Sequence, residues 1–380
     1  MSLPVRTEVV EHLRHWLMDV AFPYWANNGV DRVNGGFVES LNIDGRDSGA
    51  QFKRTRVTAR QIYVFAQSHE LGWDGAREIV QHGVDHLLGK AWISDEAGFA
   101  RRVSREGVVI DPMPDLYDLS FALFAISWAY RVTGQADLRE WARRTLNATE
   151  HLLRDTEGLG FWHDADREGW RQQNPHMHLL EASLAAFESF GEACYADLAK
   201  EMVSLFDSHF WDREHDVLPE FFDRNWMPAP SQEGEITEPG HQFEWAWIFH
   251  NCNRLIQLDR SEMVRTLYKS AEARGFDGET GLTYNQVSRA GKVLDGGSRT
   301  WPNTERIKAA VALYEQDGID PAPAITASAN ALMKHHLAHT PAGTWIDDFD
   351  ASAVGTSSAI PSSTLYHVVL AFAEVLRISQ

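Results

Sequence analysis

Polar and titratable residues recur in six short clusters along the 380-residue chain, each at the start of an otherwise apolar helical pattern. The first cluster holds Lys53, Arg54, Arg56 and Arg60, and the second Asp115, Tyr117 and Asp118. The third holds Asn174, His176 and His178, and the fourth His241 with Glu244 three residues on. Trp301, Asn303 and Glu305 form the fifth, and Ser362, Ser363 and His367 the sixth. Such groups on the first turns of buried helices are costly unless they are paired or functional. Histidine near neutral pH can both give and take a proton, so this set suits general acid–base chemistry on a polar substrate.

Simpler roles compete at several positions. Ser362, Asp115 and Asn174 suit helix N-caps. His176 and His178 point to opposite sides of a helix start, and the four-residue spacing to Asn174 selects His178 for the shared face. His176 is therefore expected to be structural. Arg54 and Arg60 are open to ion pairing with Glu244 or Glu305. His367 lies in the apolar run LYHVVLAF, where a core histidine is the ordinary reading; its alignment with the other five clusters favours a site. A His/Glu zinc set from His178, His241, Glu244 and His367 is conceivable. No HExxH occurs, and no metal is expected. No Gly-rich phosphate loop is present, so no nucleotide cofactor is expected either.

The elements that must gather these clusters repeat with a period near 62 residues. Each copy opens with a short strand–turn–strand pattern, starting at Gly35, Gly98, Gly160, Val217, Gly281 and Gly343. The copies include GGFVESLNIDGR, GFWHDADREGW and GTWIDDFDASAVG. An apolar helix pattern follows each copy, such as YDLSFALFAISWAYRVTG, and reads as buried all round. A more amphipathic helix, such as ADLREWARRTLNATEHLL, follows each of the first five. The N-terminal segment, about Thr7 to Asn27, supplies the twelfth helix. The fold expected is all-α: an (α/α)6 barrel of twelve helices with short β-hairpins before the inner ones, one domain over residues 1–380. An open solenoid is the alternative, but no polar capping repeat is visible. Parallel inner helices bring all six clusters to one end.

Composition narrows the partners. The net charge is −19, from 35 Lys+Arg against 54 Asp+Glu, which excludes nucleic acid and anionic membrane. No apolar run reaches the length of a membrane span, and no signal peptide is read. Two isolated cysteines, Cys194 and Cys252, fit a reducing, cytoplasmic setting. Fourteen tryptophans favour stacking on sugar faces. The expected partner is a small monosaccharide, and the chain a monomer or a homodimer.

Segments KRTRVTARQIYVFA (53–66), DLYDLSFAL (115–123), NPHMHLLEA (174–182), EPGHQFEWAW (238–247), RTWPNTERIKA (299–309) and SSTLYHVVLAFAE (362–374) resemble the N-acylglucosamine 2-epimerase superfamily, in its D-mannose isomerase-like branch. They touch every repeat. The resemblance implies an (α/α)6 barrel. It places the paired catalytic histidines at His241 and His367, the sugar-contacting arginine at Arg54 and the tyrosine at Tyr117. It further places an Asn-x-x-x-His pair at Asn174 and His178, and glutamates at Glu244 and Glu305. Trp301 and Trp245 are expected to wall the pocket. Arg56 departs from the aromatic residue many relatives carry. The implied activity is cofactor-free interconversion of D-mannose and D-fructose through a cis-enediol. By position, His367 in its apolar run would act as base, and His241, whose protonated form the neighbouring Glu244 would favour, as ring-opening acid. A 2-epimerase or a sulfosugar isomerase is the nearest alternative. An (α/α)6 glycoside hydrolase, needing two flanking carboxylates, is a different class, and a non-catalytic sugar-binding protein is a third.

Overall fold

Twelve helices, alternating between an inner and an outer ring, make up most of the computed structural model, which describes residues 5–380. The inner helices are Thr55–Glu70, Leu116–Thr133, Gln173–Phe190, Pro239–Ile256, Thr300–Asp317 and Leu365–Ile378. Their faces are buried nearly all round, as their unbroken apolar patterns require. The outer helices Ala76–His86, Asp137–Leu153, Ala193–Leu205, Ser261–Arg274 and Ala322–Ala331 bury one side only. The N-terminal helix runs from Thr7 through a π-turn at Trp16–Ala21 to Asn28. The whole is an (α/α)6 barrel. No helix among the described residues is long and apolar enough to cross a membrane.

Short strands and hairpins precede the inner helices, and most of the strand pairing runs between repeats. Phe52–Arg54 pairs antiparallel with Arg102–Ser104, Arg171–Gln172 with Phe221–Phe222, and Ser298–Arg299 with Asp348–Phe349. Within a repeat, Arg102–Ser104 pairs with Val109–Asp111 and Gln286–Ser288 with Val293–Asp295, and single bridges close the hairpins at Leu41 with Asp47, Phe222 with Pro228 and Phe349 with Gly355. Strands of two or three residues hold few ladder bonds, so an isolated hairpin of them is marginal and pairing with the neighbour wins.

Repeated glycines open these segments for a steric reason. Gly160 has φ +78, and a Cβ there would meet the Leu205 side chain at 2.7 Å and His176 at 3.1 Å. The fourth repeat lacks the glycine, and Asp216 takes the left-handed conformation (φ 52) one residue earlier.

The ring closes on itself. Ser40–Asn42 of the first repeat pairs with Ala359–Pro361 of the last. Trp16 packs edge-on against Phe372 at 5.7 Å between ring centres, while Trp25 stacks on Trp345 at 5.1 Å and donates to Gly343 O. Ser362 Oγ donates to Val38 O, and Gln61 donates to Ser362 O. Ser362 is thus a clasp between chain ends rather than a pocket group.

Candidate active site

All six inner helices begin at the same end of the barrel, and a cavity of about 380 Å³ opens there. Arg54, Tyr117, Asn174, His178, His241, Glu244, Trp301 and His367 all line it, as the sequence predicts. Glu305 lies directly beneath, fully buried. The indole of Trp301 contacts both catalytic candidates, with ring centres 4.8 Å from His241 and 5.7 Å from His367. The two imidazoles therefore lie within reach of one monosaccharide.

Each pocket histidine is anchored through Nδ1 by a carboxylate. His367 Nδ1 sits 2.8 Å from Glu305 Oε1, His178 Nδ1 3.0 Å from Glu181 Oε2, and His241 Nδ1 2.9 Å from Glu220 Oε2. Where the partner is ionised it accepts, which puts the proton on Nδ1 and leaves Nε2 for chemistry.

The protonation states separate sharply. For His241, burial disfavours the imidazolium. The charge and hydrogen bond of Glu220 outweigh it, Glu238 and Glu244 add to them, and the group rises to about 9. For His367, burial leads, with Arg60, Lys308, His178 and His241 acting in the same direction, and its pKa falls well below the ordinary histidine value. Burial also takes His178 down to about 3. One histidine is thus a cation and two are neutral at pH 7.

Several expectations need correction. The carboxylate that bonds His241 is Glu220, not Glu244. Glu244 accepts no hydrogen bond at either oxygen, and its nearest cation is Lys308 at 3.6 Å. A residue three positions along a helix shares the face, but here His241 turns toward the strand segment carrying Glu220. Trp245 is not a pocket wall. It is fully buried against Phe206 and Phe249 and donates to Gln173 Oε1. Asn303 is structural as well, accepting from Thr283 N and donating to Ser298 Oγ and Arg299 O. His176 is structural as expected, accepting from Phe161 N and packed against Trp226. Asp115 caps its helix by accepting from Asp118 N.

Neither arginine pairs with Glu244 or Glu305. Arg54 stands at the mouth, 39% exposed, paired with Glu39. Arg60 lies deeper and is buried. Its guanidinium donates to the Tyr117 hydroxyl and rests 4.3 Å over the Phe121 ring, and its Nε has no partner. Arg56 is held by Asp118 and Asp115, and Arg299 by Glu238. Arg60 is therefore the cavity arginine without a carboxylate.

Further cavity residues were not assigned from sequence: Glu220, Glu238, Arg299 and Asp347. Burial and Asp348 raise Asp347 to about 6, and its Oδ1 has no partner. Two groups of three potential ligands meet in the interior: His178 with Glu181 and Glu244, and Glu244 with Glu305 and His367. Lys308 already supplies positive charge beside Glu244 and Glu305, and a metal ion there would face its ammonium. A separate cavity of about 340 Å³ opens at the opposite end, around Trp128, Trp247 and Glu374. Its arginines, Arg131, Arg254 and Arg377, are bound to Glu188, Glu315 and Glu374, and no histidine lines it.

Comparison with known proteins bears on the family and the fold. Residues 35–371 match the N-acylglucosamine 2-epimerase (GlcNAc 2-epimerase) family. The chain is 32% identical over 387 residues to a mannose-6-phosphate isomerase of Rhizobium meliloti (strain 1021), covering 99% of this chain and 98% of that protein. It is 27% identical over 305 residues to a D-mannose isomerase of Thermobifida fusca, covering 73% and 72%. The solved cellobiose 2-epimerase of Bacillus thermoamylovorans B4167 superposes with a TM-score of 0.89 at 18% identity, covering 98% of this chain and 100% of that one, which supports the fold. The chain belongs to the N-acylglucosamine 2-epimerase family, as a sugar isomerase or epimerase.

Proposed function

We propose that the protein interconverts D-mannose and D-fructose by proton transfer through a cis-enediolate, without metal or nucleotide. The observation that carries this reading is the pair of imidazoles packed on the one indole of Trp301, each with Nδ1 against a carboxylate, and with His241 pushed toward its charged and His367 toward its neutral form. The cationic His241 donates a proton to the ring oxygen as the C1–O5 bond breaks, and the neutral imidazole it becomes takes the O1 hydroxyl proton, giving the open aldehyde and restoring the acid. The neutral Nε2 of His367 then takes the C2 proton, charge develops on O1, the O2 hydroxyl proton passes to O1, and the His367 imidazolium returns its proton to C1. Arg60 is placed to receive that charge: a buried guanidinium with no carboxylate partner is costly in the free enzyme and gains when an oxyanion arrives. Returning the proton to the opposite face of C2 would instead give the epimer.

The mouth supports an uncharged sugar over a sugar phosphate or a sulfosugar. Arg54, Arg56 and Arg299 are each neutralised by carboxylates, which among the described residues leaves the single charge of Arg60, deeper in the cavity, to meet a dianion. A hydrolase would need two carboxylates flanking a bond. Glu305 lies instead beneath the histidines, and Glu244, which lines the cavity, is buried with it beside Lys308.

An NMR time course in deuterated buffer tests this reading with mannose, glucose, fructose, cellobiose and mannose 6-phosphate, before and after exhaustive chelation. Fructose from mannose, with exchange at the transferred carbon and no loss on chelation, is expected. Epimer formation alone, turnover of the phosphate alone, or activity restored only by a specific divalent ion would overturn it.

A further inference from the structure

Lys308 is fully buried in the barrel interior, on the third residue after Glu305. A lysine is rarely placed there without compensation, because desolvating its ammonium is expensive. Its Nζ lies 2.5 Å from Glu305 Oε2 and 3.6 Å from Glu244 Oε1. The indole of Trp247 faces the ammonium with its ring centre at 4.4 Å. The contact to Glu305 is an ion pair off the hydrogen-bonding direction. The other oxygen of Glu305 accepts from His367 Nδ1. Ammonium, carboxylate and imidazole thus form one chain ending at the base.

We propose that Lys308 is a positioning residue, whose charge holds Glu305 as a carboxylate and so fixes which nitrogen of His367 faces the substrate. The proposal rests on the isomerase reading for its kinetic part alone. Glu305 needs such a partner. Burial, the neighbouring Glu244 and Glu181 of the third inner helix push its pKa well above the usual carboxylate range, and Lys308, by its charge and its contact, is the group that pulls it back. Arg60, His178 and His241 also act on His367 and, like Lys308, disfavour its imidazolium. A protonated Glu305 would donate to Nδ1 instead of accepting from it. The imidazole proton would then sit on Nε2, pointing at the sugar, and His367 could not take the C2 proton.

Replacing Lys308 with Met keeps the length and volume of the side chain and removes the charge. Histidine 15N shifts report the tautomer directly and need no substrate. In the wild type, His367 should be protonated on Nδ1; in K308M the Nε2-protonated form should be substantially populated. Turnover should fall by about 10- to 100-fold, less than the loss of the base itself because the Nδ1-protonated form stays partly populated, with KM changed less than about twofold. Part of it should return as pH rises, because Glu305 ionises again. Adding K308M to E305Q should cost little further, since the lysine acts through that carboxylate.

A wild-type His367 protonated on Nε2, or a K308M loss that is equal at all pH values and additive with E305Q, would overturn the proposal. Should K308M not fold, K308Q and the wild-type spectrum decide it. If the tautomer switches as expected while the wild type isomerises no sugar, Lys308 keeps its role and the isomerase reading fails.

Discussion

Glu220→Gln is the perturbation that separates the two histidines most clearly. Glu220 supplies the principal charge and the hydrogen bond that lift His241 to about 9 against its burial. Because the folded pKa is raised, the imidazolium persists through neutral pH and is lost only as pH rises through about 9. Without the Glu220 charge, burial drives the group to its ordinary value of about 6.5 or lower. At pH 8 the protonated fraction would fall from about 90% to about 3%, a loss of about 30-fold in kcat/KM if the imidazolium is the ring-opening acid. The loss shrinks to about fourfold at pH 7 and nearly vanishes at pH 6, again from the titration alone. The assay is the initial rate of ketose formation from mannose between pH 5.5 and 10. A wild-type basic limb already near 6.5, or an E220Q loss of equal size at every pH, would refute the assignment of His241 as the acid.

Other outcomes follow from the same geometry. His367→Asn should fold normally, bind sugar with modest loss, and lose about 100-fold or more in turnover together with solvent exchange of the C2 proton; near wild-type exchange would move the base to another residue. Arg60→Met should lower kcat by about 100-fold, the scale of one lost oxyanion donor, whereas Arg54→Met at the half-exposed mouth should mainly raise KM. Steady-state kinetics on both variants would expose the reverse pattern if Arg54 carried the charge.

The barrel was legible because its evidence is periodic. Apolar helices at a 62-residue period leave few ways to bury so much surface, and the first-turn clusters then share one end. Hidden were the partners that arrive from other repeats. Glu39, Arg101, His163, Glu220, Tyr284 and Asp347 each lie two residues after the first aromatic or leucine residue of a repeat. His163, Glu220 and Asp347 line the mouth, and Glu39 holds Arg54. That second recurrence was in the sequence, but it falls in strand segments where polar residues ordinarily face solvent. Choosing Glu244 for His241 followed helical spacing, and the strand beside the helix end overrode it. Lys308 gave no signal, since a lysine in ERIKAAVALY reads as solvated until Glu244 from another helix is placed next to it.

The clasp joining the first and last repeats sets the order in which the molecule can be finished during synthesis. Trp25 meets Gly343 across 318 residues, and Val38 meets Ser362 across 324. Until the final sixth leaves the ribosome, Ser40–Asn42 is an unpaired strand edge and the N-terminal helix has no Phe372 to pack on. Closing so long a loop costs entropy that only the last contacts repay, so completion is slow by topology and the open ring is a species prone to pair with its neighbours. His367 lies on that last helix. The nascent chain therefore carries Arg60, His178 and His241 in advance of their base, and it becomes competent for proton transfer in the same event that seals its edges.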